Sequence, residues 1–282
     1  MKKILAIALV LVLCLGVFAA CTSTDEETTT AAEQSSETTL SGTLTLGGST
    51  SVEAVISALM EQFMINNPDV TITYSPTGSS TGISGAADSS LDIGLSSRDL
   101  KEEELETLDQ TVFALDGIAV VVNTANTITD ISLEDLAKIA TGEITNWSEL
   151  GGDDVEIIFI GRDSASGTRD GFESIVDVSD ICDYDEEQSS TGGVLASVQS
   201  NAGAIGYVSL ASVSDAVVAL TIDGIAATSE TVLDGSYLIQ RNFVFATLTD
   251  GTSELAQAFI EWATTDETAQ TLIEAASAIP LA

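Results

Sequence analysis

An alternation of apolar periods restricts this chain more than any other feature. From Gly42 onward, stretches with a two-residue repeat give way repeatedly to stretches with a helical repeat. Thr43 to Leu46 alternates. Val52, Val55, Ile56, Leu59, Met60, Phe63 and Met64 then recur at helical spacing, and Asn66-Asn67-Pro68 ends that helix. Val70 to Tyr74 and Leu91 to Leu95 read as strands, and Lys101 to Leu108 as an acidic helix. β-Branched residues mark strands at Val112 to Leu115, Ile118 to Val122 and Val155 to Ile160. Leu133 to Ile139 reads as a helix opened by Ser132 as N-cap, with Asp135 three residues on. A helix from Thr191, strands at Ala204 to Val208 and Phe243 to Thr247, and helices between Ser253 and Ala276 complete the series. Strands alternating with helices indicate an α/β architecture with largely parallel sheets.

A body of about 240 residues is long for one α/β domain and natural for two smaller ones. It contains no long polar linker and no internal repeat. The chain is therefore expected to leave the first domain and return by short strand crossings. The candidates lie near Leu115-Asp116-Gly117 and between Gly235 and Asn242.

The N-terminal segment has a different character. Lys2 and Lys3 precede an apolar run from Ile4 to Phe18 that is too short for a comfortable membrane span. Ala19-Ala20 then leads into Cys21. This pattern resembles a bacterial lipoprotein signal over residues 1–20, with Cys21 lipidated as the mature N-terminus. Phe18 departs from it, standing where the pattern usually has Leu. An ordinary secretory signal with an incidental Cys is the alternative. Thr22 to Thr39 is rich in Thr, Ser and Glu without apolar periodicity, so residues 21–41 are expected to form a disordered tether. Cys182 is then the one other Cys of the mature chain. It has no partner for an internal disulfide, and the fold must rest on its core.

Charge narrows the function. The chain carries 44 Asp and Glu against 8 Lys and Arg, has no His, and has a formal net charge of −36. Such a polyanion has no electrostatic route to nucleic acid or to anionic lipid. Without His there is no Ser-His-Asp triad, no Cys-His pair and no imidazole metal ligand. Disorder is not implied, because 44% of the residues are hydrophobic. Removing the leader leaves Arg98, Lys101, Lys138, Arg162, Arg169 and Arg241 as the basic residues.

Chemistry concentrates in four Gly/Ser/Thr clusters that follow strand-like runs. They are Gly47-Gly48-Ser49-Thr50-Ser51, Thr77-Gly78-Ser79-Ser80-Thr81-Gly82, Leu95-Ser96-Ser97-Arg98-Asp99 and the stretch from Gly161 to Asp170. At least three lead into a helix. A strand, a small-residue turn and a helix start present free N–H groups at the positive helix end, and hydroxyls add further donors. Any one cluster is most simply a turn with an N-cap. Four of them, two holding an Arg in a chain so poor in cations, point instead to an oxyanion site. No P-loop and no dinucleotide fingerprint is present.

On these residues the chain resembles the PstS family, the phosphate-binding component of the phosphate ABC importer. The specific stretches are GGSTSV at Gly47 to Val52, TGSSTGI at Thr77 to Ile83 and DIGLSSRD at Asp92 to Asp99. DGIAVVVN from Asp116, TGEITNW from Thr141, GRDSASGTRD from Gly161 and NAGAIGYVS from Asn201 add to them. The resemblance spans roughly Gly42 to Pro280. It implies an α/β periplasmic-binding-protein clamshell of type II, with mixed and parallel sheets flanked by helices and a two-strand hinge. Residues 42–116 with 237–282 are expected to form one domain and 117–236 the other. By the same resemblance, Thr50 and Ser51 bind phosphate from the first loop. Ser79 binds from the second, with the backbone of Ser80 and Thr81 beside it. Arg162, Ser166, Gly167 and Thr168 bind from the opposite domain.

Ser97 is a departure. Many family members carry at its position an Asp that accepts the proton of bound hydrogen phosphate. A hydroxyl can accept or donate, so rejection of sulfate is weaker here or done elsewhere. Arg98 is either a second cation at or behind the site or a solvated loop residue paired with Asp99. Arg169-Asp170 reads as support for the site or as a helix-surface pair. Ser190-Thr191-Gly192 reads as a helix cap, with facing the cleft as the alternative, Trp147 and Trp262 as packing residues, and the acidic run from Asp180 to Glu187 as a solvated loop rather than a Ca²⁺ site.

The family implies a monomeric, lipid-anchored receptor on the outer face of the cell membrane that hands phosphate to an ABC permease. It implies no cofactor, no metal and no catalysis. Two alternatives stay open: a binding protein for another tetrahedral oxyanion such as sulfate, and a Ser-based phosphoester hydrolase whose base is Lys, Asp or Glu.

Overall fold

The computed structural model describes residues 40–281. The leader, Cys21 and residues 22–39 of the expected tether lie outside the described residues. The chain order is β1 (Gly42–Gly48), α1 (Glu53–Asn66), β2 (Val70–Pro76), α2 (Ser79–Ala87), β3 (Ile93–Ser96), β4 (Leu108–Val122), β5 (Asp130–Ile131) and α3 (Leu133–Ala140). It continues through β6 (Ile158–Arg162), α4 (Gly167–Val176), β7 (Glu186–Gln188), α5 (Thr191–Ser200), β8 (Ala204–Ser209), β9 (Val218–Ala219) and β10 (Thr221–Ile222). It ends with α6 (Ser229–Leu233), β11 (Gln240–Leu248), α7 (Glu254–Thr265) and α8 (Glu267–Ala275).

A mixed sheet in the order β2-β1-β3-β11-β4-β8-β6-β7 runs through the molecule. β1 pairs in parallel with β2 and β3 at one end, and β6 pairs in parallel with β7 and β8 at the other. β4 and β11 are antiparallel to each other and join the two ends. Each half of the sheet is covered on both faces. Val55, Ile56, Leu59 and Phe63 of α1 pack with Phe259 of α7 and Ile273 of α8 on one face of the β1 half, and Ile83 and Ala86 of α2 cover the other. In the β6 half, Leu136, Phe172 and Val232 from α3, α4 and α6 share one core, and Val194 and Val198 of α5 cover the opposite face. Strands buried on both sides must be apolar almost continuously, as Ile118 to Val122 is.

Between the two cores β4 passes without a break through Leu115-Asp116-Gly117, where two separate strands were expected. Phe113 is the extra residue where the β4–β11 register shifts, and its ring stacks on Phe245 at 4.2 Å. At the crossing, Asp116 receives hydrogen bonds from Arg241 through Nε at 3.2 Å and Nη2 at 2.9 Å, and from Ser209 Oγ at 2.8 Å. Burial pushes the Asp116 carboxyl up and the Arg241 guanidinium down, and each partner opposes the shift of the other.

The Ser132 cap forms as expected, its Oγ accepting from Asp135 N at 3.0 Å. Other expectations fail for local reasons. Glu102 to Thr107 is a series of turns in which the Glu104 carboxylate bonds to Lys101 N and Arg98, and Leu108 already opens β4. The strand expected from Val155 begins at Ile158, since Val155 and Glu156 pair back onto residues 146 and 147, and Val155 is exposed. The acidic run is not all loop: Glu186–Gln188 forms the edge strand β7 beside β6.

Breaking the crossing pair should be costly while replacing it should not. Asp116→Ala leaves Arg241 buried without its counter-charge and should lose about 3–5 kcal/mol of unfolding free energy. Asp116→Leu combined with Arg241→Met should recover most of that loss in chemical denaturation.

Candidate functional site

The site forms where β1, β2, β3, β6 and β7 end. Each of these parallel strands runs at its carboxyl end into a small-residue turn, and a sheet places ligands at those ends. Three turns open the helices α2, α4 and α5, and the turn after β1 opens a short 3-10 helix, Thr50–Val52, that leads into α1. N-caps hold the geometry. Ser49 accepts from Ser51 N, Ser166 from Arg169 N and Ser190 from Gly193 N. With the caps satisfied locally, the next residues turn their hydroxyls and N–H groups inward.

Two groups of hydroxyls result. In the first, Ser51 Oγ lies 2.8 Å from Thr168 Oγ1 and 3.2 Å from Thr191 Oγ1, and Thr50 Oγ1 lies 3.1 Å from Thr191 Oγ1. In the second, Ser79 Oγ lies 3.2 Å from Ser97 Oγ and accepts from Ser97 N at 3.0 Å. The start of α4 lies between them. A Cβ on Gly167 would stand 2.5 Å from Ser79 Oγ, so only glycine lets this helix end meet the second group.

Arg162 supplies the charge. It ends β6 with a relative exposure of 2%. Nε donates to Gln188 O at 3.0 Å, Nη2 to Ser189 O at 3.2 Å and Nη1 to Thr191 Oγ1 at 3.4 Å. A guanidinium has five N–H donors, so two stay uncommitted. Among the described residues Arg98, Lys138, Arg169 and Arg241 all pair with carboxylates, whereas buried Arg162 has none within ion-pair distance. Burial pulls its pKa down and Arg241 adds to that, while Asp163 opposes it. Its main chain is fixed from both sides. Arg162 N donates to Tyr207 Oη at 3.3 Å, and Arg162 O accepts from Arg169 Nη1 at 2.9 Å. Arg169 is in turn held by Glu173 at 2.7 Å and by Glu187.

Of the expected site residues, Thr50, Ser51, Ser79, Ser97, Arg162, Ser166, Gly167 and Thr168 are all buried at this convergence. Thr81 is exposed on α2, and the N–H of Ser80 donates to Ala165 O at 3.1 Å. Arg98 is neither a site cation nor solvated. It is 8% exposed, with Nη1 and Nη2 bonded to Glu104 and Asp99 O and Nε 2.8 Å from Asp170 without a hydrogen bond. Arg169 and Asp170 do not pair with each other. Arg169 props Arg162, and Asp170 meets Arg98.

Thr191 lies at the site, the lesser of the two readings of its sequence context, which points first to a helix cap. Its side chain is buried and touches Thr50, Ser51 and Arg162. The strand before it, β7, lies inside the acidic run, so the strand-turn-helix pattern seen in the other clusters was hidden there. Chemically the arrangement is a donor cradle of one cation, hydroxyls and helix N-termini. Among the described residues no carboxylate or lysine bonds to the hydroxyls of Thr50, Ser51, Ser79, Ser97 or Thr168.

Known proteins match both the sequence and this fold. The model for the PBP superfamily domain matches residues 33–267. The phosphate-binding protein PstS of Borreliella burgdorferi is 32% identical, over 82% of this chain and 87% of its own length. The phosphate-binding protein PstS of Bacillus subtilis is 34% identical, over 86% of this chain and 81% of its own length. A crystal structure from Clostridium perfringens, assigned as a phosphate ABC transporter substrate-binding protein with bound phosphate, aligns with a TM-score of 0.83 and 36% identity. That alignment covers 86% of this chain and all of the other. With most of its length matched by the superfamily model and by curated relatives, this chain belongs to the PBP superfamily and, within it, to the PstS family of phosphate-binding proteins.

Proposed function

We propose that this chain captures inorganic phosphate between its two half-sheets and delivers it to the permease of an ABC importer. The observation that carries this is Arg162, a buried guanidinium with no carboxylate partner, ringed by hydroxyls and helix starts. A tetrahedral anion supplies the missing charge and has enough oxygens to meet donors on every side. Thr50, Ser51, Ser79, Ser97, Arg162, Ser166, Gly167, Thr168 and Thr191 are the proposed contacts. The names of the curated relatives and the phosphate-bound structure from Clostridium perfringens support the same ligand.

In this proposal residues 42–116 with 237–282 form one lobe and 117–236 the other, and they part and close about β4 and β11. The division of the cores on either side of Asp116 supports the first boundary, while Tyr237, Ile239 and Ile279 pack in the core of the 117–236 lobe. The protein acts as a monomer outside the cytoplasm, tethered through a lipidated Cys21. It acts as a binding protein: among the described residues no carboxylate or lysine bonds to the hydroxyls of Thr50, Ser51, Ser79, Ser97 or Thr168, which supports binding over nucleophilic catalysis. A sulfate-type ligand is the second reading, favoured by the hydroxyl of Ser97 and the lack of a carboxylate acceptor at the cradle.

Calorimetry on the full chain should show one phosphate site, and Arg162→Ala should abolish it or weaken it at least about a hundredfold, the loss of a charge-assisted hydrogen-bond set. Normal affinity in that variant contradicts the assignment of Arg162. Thr191→Val keeps the shape and removes the hydroxyl, and should weaken phosphate binding about tenfold. Sulfate that displaces phosphate at equal concentration in a competition titration would transfer the function to the wider oxyanion class.

A further inference from the structure

We propose that Arg98 and Asp170 form a latch across the two lobes, an ion pair that does not touch the ligand and sets how long the cleft stays shut. The proposal rests on the phosphate-capture function above. Arg98 directly follows Ser97, and Asp170 lies two residues after Thr168 on α4. Each therefore belongs to a segment that carries a hydroxyl of the site. Nε of Arg98 stands 2.8 Å from Asp170 Oδ2. Its N–H is not aligned for a hydrogen bond, so the contact is a plain ion pair.

The other ion pairs of the described residues stay within one proposed lobe. Lys138 pairs with Glu134 and Asp135, Arg169 with Glu173 and Glu187, Arg241 with Asp116, and Arg98 with Glu104. Arg98–Asp170 is the pair that crosses. Neutral contacts flank it, Ser80 N to Ala165 O at 3.1 Å and Ser51 Oγ to Thr168 Oγ1 at 2.8 Å.

The two partners are not equivalent. Arg98 is anchored to its own lobe by both Glu104 oxygens at 2.8 Å and by Asp99 O at 2.9 Å. When the lobes part, Arg98 keeps its counter-charge and stays in place. Asp170 loses its partner and returns to water. Burial in the closed state pushes the Asp170 carboxyl up while Arg98 pulls it down. The latch slows release because that attraction acts only in the closed state, and it requires the attraction to outweigh the burial. It is also within reach of salt. Asp170 is 34% exposed, and a pocket of about 350 Å³ lined by Arg98, Asp170, Arg241 and Asn242 opens beside it.

A competing effect has the opposite sign. A carboxylate in the first turn of α4 repels an anion at that helix end, so removing its charge would tighten binding if repulsion dominated. Asp170→Asn separates the two. It leaves Arg98 paired with Glu104 and creates no buried unpaired charge.

Stopped-flow release of phosphate from the full chain tests the latch. Asp170→Asn should release phosphate about tenfold faster, with association changed by less than about twofold. Asp170→Glu should restore most of the retention. Added salt should quicken release from the unaltered chain and leave Asp170→Asn nearly unaffected. Release that is unchanged or slower in Asp170→Asn, or an equal salt response in both proteins, overturns the latch. A chain that binds phosphate normally with that result loses the latch alone. A chain that binds no phosphate loses the proposed function and the latch with it.

Discussion

The binding site depends on one desolvated charge. Arg162 is buried to 2% relative exposure, and taking a cation out of water costs on the order of several kcal/mol unless an anion compensates. The carbonyls of Gln188 and Ser189 orient the guanidinium and soften the cost, but dipoles do not neutralise it. In most folds a nearby Asp or Glu would complete the pair, and this chain has a large excess of both. Among the described residues none pairs with Arg162, and Asp163 next to it in the chain acts only from beyond ion-pair distance. The deficit is therefore a property of the fold, and an anion that enters the cradle removes it.

This changes what the net charge of −36 means. In the far field the chain repels anions, and that repulsion is screened over about 8 Å at physiological salt. Inside the cradle the nearest groups are hydroxyls, helix N-termini and one guanidinium, so the local field has the opposite sign. The acids are kept busy or kept away. Glu173 and Glu187 hold Arg169, Asp116 holds Arg241, and Glu104 holds Arg98. Affinity and net charge are set by different residues at different distances.

The sequence was most legible where local chemistry and global topology agree. The strand, turn and helix starts around Thr50 and Thr168 follow from apolar period and the N-cap serines Ser49 and Ser166, while α2 starts after Gly78 without a side-chain cap, and the fold keeps all three. Legibility failed where a long-range contact overrode a local preference. Lys101 to Leu108 reads as an acidic helix, but Leu108 is claimed by strand β4, paired with Leu248, and the residues before it form turns. Val112 to Leu115 and Ile118 to Val122 look like two strands because Asp116-Gly117 breaks the pattern. The buried pair with Arg241 is what lets one strand run through. Thr191 was obscured because β7 is acidic on its exposed edge and does not read as a strand. Arg98 could not be placed from sequence, since its partner Asp170 lies 72 positions away, counting from 98 to 170.

In the proposed function, binding and closure use the same atoms. Thr50 and Ser51 end one side of the cradle, Thr168 and Thr191 the other, and in this structure their hydroxyls meet one another directly. An anion between them exchanges hydroxyl-to-hydroxyl bonds for stronger bonds to a charge, so it rewards the same approach of the two sides. Arg162 cannot follow the ligand outward, because Tyr207 and Arg169 grip its main chain. With the cation fixed and the hydroxyls divided between two faces, the anion meets its full set of donors only when the faces are together. Selectivity for a compact anion then needs no carboxylate gate at the entrance: a larger ligand holds the faces apart and leaves Arg162 without its counter-charge.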